Sequence, residues 1–88
     1  MSLRVLLHPR AAKFLEKLDA LTAARIKESL KRLEERPQLG KRLRYFDFWS
    51  LRVGDYRVIY EIWKREGQIV VLFIGHRRDV YEDLGRLL

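Results

Sequence analysis

The chain has 88 residues, 48% of them apolar and 35% charged, and its 19 Lys and Arg against 12 Asp and Glu leave a net charge of +7. That length makes one domain over residues 1–88 and excludes an enzyme with a separate cofactor domain. With no cysteine, disulfides, thiolate metal sites and thiol nucleophiles are excluded, and the composition fits a reducing cytoplasm. Leu3, Val5 and Leu7 alternate with Arg4 and Leu6, the period of a short strand that ends at His8, because Pro9 disfavours helical geometry in the residue before it. Pro9 suits the first turn of a helix, and Ala11, Phe14, Leu15 and Leu18 then fall on one helical stripe. Asp19 or Thr22 can cap a second helix with the stripe Ala23, Ile26, Leu30 and Leu33, which Pro37 and Gly40 stop.

From Trp49 the period changes to two, and Gly54-Asp55 offers a tight hairpin turn. Residues 56–63 are rich in β-formers, Glu66-Gly67 offers a second turn, and residues 69–74 form an unbroken apolar run that predicts a central or well-covered strand. That run is far short of the roughly twenty residues that cross a bilayer, so no membrane partner is expected. After Gly75, His76-Arg77-Arg78 leads into a tail where Tyr81, Leu84, Leu87 and Leu88 have the spacing of a helical turn or two. The expected fold is α+β: an N-terminal strand, a helical hairpin and a three-stranded antiparallel meander, in two layers.

A two-residue turn at Gly54-Asp55 pairs Val53 with Tyr56, Arg52 with Arg57, Leu51 with Val58 and Trp49 with Tyr60. The apolar members then face the helices, and Arg52 and Arg57 share the other face. Like charges directly opposite each other are destabilising, so these two bind an anion, find separate carboxylates, with Glu61 and Asp47 as candidates, or snorkel into water. A two-residue turn at Glu66-Gly67 would place His76 opposite Arg57, with Arg77 just beyond. Thirteen of the nineteen cations are Arg, the side chain suited to bidentate phosphate contacts, which favours a polyanionic partner. Before the meander, Lys41, Arg42 and Arg44 run into Tyr45, Phe46 and Phe48. Cations beside aromatics suit a single nucleic-acid strand, with Phe46 expected in the core and Tyr45 and Phe48 open to either role.

The segment Leu51-Arg52-Val53-Gly54-Asp55-Tyr56-Arg57-Val58-Ile59-Tyr60-Glu61, followed by Ile74-Gly75-His76-Arg77-Arg78-Asp79-Val80-Tyr81, resembles the RelE/ParE superfamily of bacterial and archaeal toxins, the second segment being closer to the RelE branch. The resemblance covers nearly the whole chain. It implies a ribosome-dependent mRNA endonuclease that works in the A site without a metal or small-molecule cofactor, and a cognate antitoxin that silences it. It further implies that Arg57 holds the scissile phosphate, Arg77 sits near the leaving 5′-oxygen and Tyr81 orients the nucleotide, with Arg52 at a basic strand position. One departure stands out: where RelE proteins carry two lysines, this chain has Phe48 and Ser50. Arginine is too basic to take a proton, so His76, with a reference pKa near 6.5, is the expected substitute base, and Glu61 the other titratable option. The missing lysines keep an alternative open, a non-catalytic ParE-like toxin that inhibits DNA gyrase by binding.

Overall fold

The computed structural model describes residues 2–44 and 47–79. Strand β1 (Arg4–Leu7) leads into helix α1 (Pro9–Lys17) and helix α2 (Ala20–Glu35). A 3-10 turn (Pro37–Leu39) and a two-residue strand β2 (Lys41–Arg42) precede the meander of β3 (Phe48–Val53), β4 (Tyr56–Trp63) and β5 (Gln68–His76). The sheet has five strands in the order β1-β5-β4-β3-β2. It is antiparallel except for β1, which runs parallel to β5. Only β2 was not expected: two exposed cations carry no hydrophobic period.

The helix boundaries follow their capping chemistry. The His8 ring Nδ1 accepts from the Arg10 N–H at 3.2 Å, and Pro9 opens α1. Asp19, rather than Thr22, caps α2, accepting from the Thr22 N–H at 3.0 Å. That backbone bond holds the Asp19 carboxyl below the ordinary value of 3.8, so its contribution to stability is present above that pH and lost as the pH falls through the lower folded value.

The helices cover one face of the sheet. Ala11 and Leu15 of α1 and Ile26, Leu30 and Leu33 of α2 pack on Val58, Tyr60, Ile69, Val71 and Ile74. Around them lie Phe14, Leu18, Ala23, Trp49, Leu51, Val53 and Tyr56, so both helical stripes and the apolar hairpin face meet as the spacing predicts. A second, smaller cluster of Phe48, Ile59 and Phe73, with Leu43 and Leu72 against it, lies on the opposite face. Burial on both sides is why residues 69–74 read as a continuous apolar run rather than an alternating one.

The β3–β4 register has Arg52 opposite Arg57 and Trp49 opposite Tyr60, as expected of a two-residue turn, and Gly54 takes the positive φ of 61° that such a turn requires. The β4–β5 register differs from expectation. Residues between Trp63 and Gln68 form a four-residue turn, and the ladder slips by one where Tyr60 pairs with Val71 but Ile59 pairs with Phe73. Leu72 is the extra residue of a β-bulge. Lengthening a turn by two preserves which face each residue occupies, whereas one extra residue exchanges the faces. Arg57 therefore pairs with Gly75, and His76 pairs with Tyr56.

Tyr60 joins the core to the loop that follows α2. Its fully buried phenol donates to the Pro37 carbonyl at 2.7 Å and accepts from the Gly40 N–H at 3.0 Å, while its ring stacks on Trp49. A Cβ on Gly40 would lie 2.7 Å from the Ser50 carbonyl oxygen and 2.8 Å from the Tyr60 hydroxyl, so only glycine fits the approach. Tyr60→Phe leaves the loop's N–H and carbonyl without their partner and is expected to cost about 1–3 kcal/mol in urea unfolding. Burial also raises the Tyr60 pKa above 10.0. The stability linked to its protonation is complete below pH 10 and lost as the pH climbs through the higher folded value, so Tyr60→Phe should remove part of the alkaline decline in an unfolding series. Gly40→Ala forces backbone apart and should cost about 1–3 kcal/mol by the same measurement.

Candidate nucleic-acid interface

The sheet face away from the helices carries Phe48, Ser50 and Arg52 on β3, and Arg57, Ile59 and Glu61 on β4, by strand alternation. Phe73 and Gly75 of β5 lie opposite Ile59 and Arg57. At its centre the half-buried Arg57 donates from Nη1 to the Ser50 Oγ at 3.2 Å. Ser50 is itself only 3% exposed, the one buried polar side chain among the described residues. Glycine opposite Arg57 leaves the backbone there without a side chain on the face.

The two paired arginines part company. Arg52 turns its Nε to the Gly54 carbonyl at 3.0 Å and lines a groove of about 470 Å³ with Arg25, Glu28 and Arg32 of α2. It has room to do so because β2 pairs only with Trp49 and Ser50, which leaves β3 an edge strand beyond that point. Like-charge repulsion is thus relieved by divergence. Neither carboxylate expected to serve the pair is seen doing so: Asp47 bonds Arg42 at 2.8 Å in an exposed ion pair, and Glu61 stands opposite Phe48 and Val70.

The bulge decides the fate of His76. Its ring packs edge-on against Tyr56, which in turn meets Phe14 of α1, so it lies on the helical face, and its Nδ1 accepts from the Arg78 N–H at 3.3 Å. The expected convergence of His76 with Arg57 does not occur. Arg77 follows β5 in a turn, its N–H donating to the Asp55 carbonyl at 2.9 Å and the Asp79 N–H to the His76 carbonyl at 2.8 Å.

Among the remaining residues, Lys41, Arg42 and Arg44 are exposed beside this face. Phe48, 7% exposed, is packed into the apolar cluster with Ile59 and Phe73 rather than presenting an open ring. Tyr45, Phe46, Tyr81 and the tail to Leu88 lie outside the described residues. One functional candidate escaped the sequence pattern. Arg10, at the start of α1, holds its guanidinium carbon 4.8 Å from the centre of the Phe73 ring, on the same face as Arg57. On a helical wheel it reads as one more solvated cation, and only the β1–β5 pairing reveals where it goes.

A sheet with a helical hairpin on one side and arginines on the other is also the arrangement of known proteins that this chain matches. The sequence model of the ParE toxin of type II toxin–antitoxin systems matches residues 5–81. Among solved structures, the toxin–antitoxin complex RelBE2 from Mycobacterium tuberculosis matches at 30% identity and a TM-score of 0.80, covering 88% of this chain and 100% of that one. The archaeal RelE–RelB complex from Pyrococcus horikoshii matches at 29% identity and a TM-score of 0.76, covering 88% of this chain and 97% of that one. The isolated E. coli RelE toxin shares the fold, at 24% identity and a TM-score of 0.79 over 99% of this chain and 100% of that one. No curated protein matches significantly. The chain belongs to the RelE/ParE toxin superfamily, on its RelE branch. It is the toxin of a type II toxin–antitoxin system. Among the described residues no helix is long and apolar enough to cross a membrane.

Ser50→Ala removes an acceptor from a half-buried guanidinium. It is expected to lower stability by about 1–3 kcal/mol in denaturant titration, with the fold retained by circular dichroism.

Proposed function

We propose that the protein is a ribosome-dependent mRNA endonuclease whose scissile phosphate is held on the sheet face centred on Arg57. The observation that carries this is the placement of Arg57: half-buried, bonded to Ser50, on the sheet face away from the helices, with Arg77 in the turn just after β5. A permanently protonated planar donor fixed in this way suits charge that grows on phosphoryl oxygens, at a site where little reorganisation is needed as it develops. In the reaction the ribose 2′-oxygen bonds to the adjacent phosphorus and the bond to the 5′-oxygen breaks. A 2′,3′-cyclic phosphate and a 5′-hydroxyl result, one proton leaving the 2′-hydroxyl and one reaching the 5′-oxygen.

Arg57 and Arg77 stabilise the phosphoryl and leaving oxygens, Tyr81 orients the nucleotide, and Lys41, Arg42, Arg44 and Arg52 supply electrostatic attraction along the flanks. Glu61 shares Arg57's face and His76 does not, so His76 has no part in the proton transfer. Phe48 belongs to the apolar floor under the site rather than to base stacking. The partners are the ribosome with its mRNA and, by likeness to the RelBE complexes, a cognate antitoxin encoded beside the toxin. A protein that acts on ribosome-bound mRNA would work in the cytoplasm.

One observation favours a second reading, gyrase inhibition without catalysis: Phe48 and Ser50 occupy the positions of the two RelE lysines, and the matching family description is of ParE. Induction separates the two, by A-site mRNA cleavage in the first case or gyrase-linked DNA damage in the second. On programmed ribosomes Arg57→Ala should reduce cleavage by roughly 10²–10³-fold, the loss typical of removing one preorganised oxyanion donor. His76→Gln should leave the rate and its pH profile unchanged. Intact cleavage by Arg57→Ala, or DNA damage in place of cleavage, would overturn the endonuclease reading.

A further inference from the structure

Strand β1 pairs with β5 only over Gln68–Val71, from Arg4↔Gln68 to Leu7↔Val71. Beyond Val71 no strand of the described residues lies beside the outer edge of β5, and here the chain leaves β1, anchored by the His8 N–H on the Val71 carbonyl at 2.8 Å, and enters α1. Arg10 sits at this corner. From it the side chain reaches Phe73 on the face that carries Arg57, although the rest of α1 packs on the other face.

A guanidinium stacked on an aromatic ring engages the ring through its flat face, while its N–H donors radiate in the plane. The Phe73 contact therefore fixes the orientation of Arg10 without consuming a donor. Among the described residues no carboxylate lies within ion-pair distance of Arg10, whose side chain is exposed, and the first turn of α1 contains no acid. The Arg57 guanidinium reaches Ser50 on β3, and Ser50 and Phe73 lie on either side of Ile59 in one row across the sheet, so the two guanidiniums stand about two strand spacings, roughly 10 Å, apart. An extended strand crossing the sheet along that row can meet both with phosphates one or two along from each other.

We propose that Arg10 binds a phosphate one or two along from the one held by Arg57, and so sets the path of single-stranded RNA across the sheet towards the α1 corner. The inference rests on the reading of this face as an RNA site, but not on cleavage. It is tested by fluorescence anisotropy with uncleavable 2′-O-methyl single-stranded RNA of two unrelated sequences, titrated over a range of salt, in parallel with cleavage on programmed ribosomes. Arg10→Ala should weaken binding to both sequences alike and reduce the slope of log affinity against log salt by roughly 0.7, one phosphate contact on a single strand. Arg10→Lys should keep the wild-type slope, and Arg65→Ala, in the turn at the far end of β4, should keep both slope and affinity. An unchanged slope in Arg10→Ala alongside a reduced one in Arg57→Ala would overturn the role of Arg10 and leave the endonuclease reading standing. Arg10-dependent binding by a protein that cuts no mRNA would do the reverse. Absence of RNA binding by the wild-type chain would also overturn the role of Arg10, with the ribosome assay deciding the endonuclease reading separately.

Discussion

One extra residue in β5 determines which side chains share a face. At Leu72 the ladder between β4 and β5 slips by one, and the slip lets Val71 and Ile74 both point into the helical core although three positions separate them. In a regular strand an odd separation would send one of them outward. The same slip gives Phe73 to the other side, where it joins Phe48 and Ile59 to form the floor around Arg57. Core and site are thus two outcomes of a single irregularity, and neither can be altered in β5 without consequence for the other.

The two faces are built to different standards. Towards the helices lies a continuous apolar layer in which polar atoms are few and paired, Tyr60 being the clearest case with its hydroxyl spent on the Pro37 and Gly40 backbone. Away from them lies a small apolar floor edged by arginines: Arg57 is bonded to a serine hydroxyl, Arg52 to a turn carbonyl, and Arg10 lies against an aromatic ring. Cations gathered in this way give the face a positive potential, and such a field draws in a polyanion before any specific contact forms.

How far the chain could be read in advance tracks how local the determining forces are. The β3–β4 pairing was legible because a two-residue turn with glycine at its first position admits one register, and the helical stripes were legible because their period is carried by the residues themselves. The β4–β5 pairing was not. Its turn is two residues longer than Glu66-Gly67 implied, and nothing local marks Leu72 as surplus within a run of six apolar residues. The misplacement of His76 followed from that alone. Arg57 was legible as an outward-facing neighbour of Arg52 because the β3–β4 turn fixes its face. Arg10 was not, because its position depends on where a parallel edge strand stops, a property of pairing at long range.

The bulge also makes β5 unequal in its tolerance of changes in length. Deleting Leu72 would restore an unbroken ladder while keeping Tyr60 with Val71 and Ile59 with Phe73, so both faces survive. Loss of a residue between Phe73 and His76 would invert everything downstream of it, turning an arginine into the core and a core side chain towards solvent. A change of one residue is therefore absorbed at Leu72 and a change of two in the turn before Gln68, each without exchanging the faces.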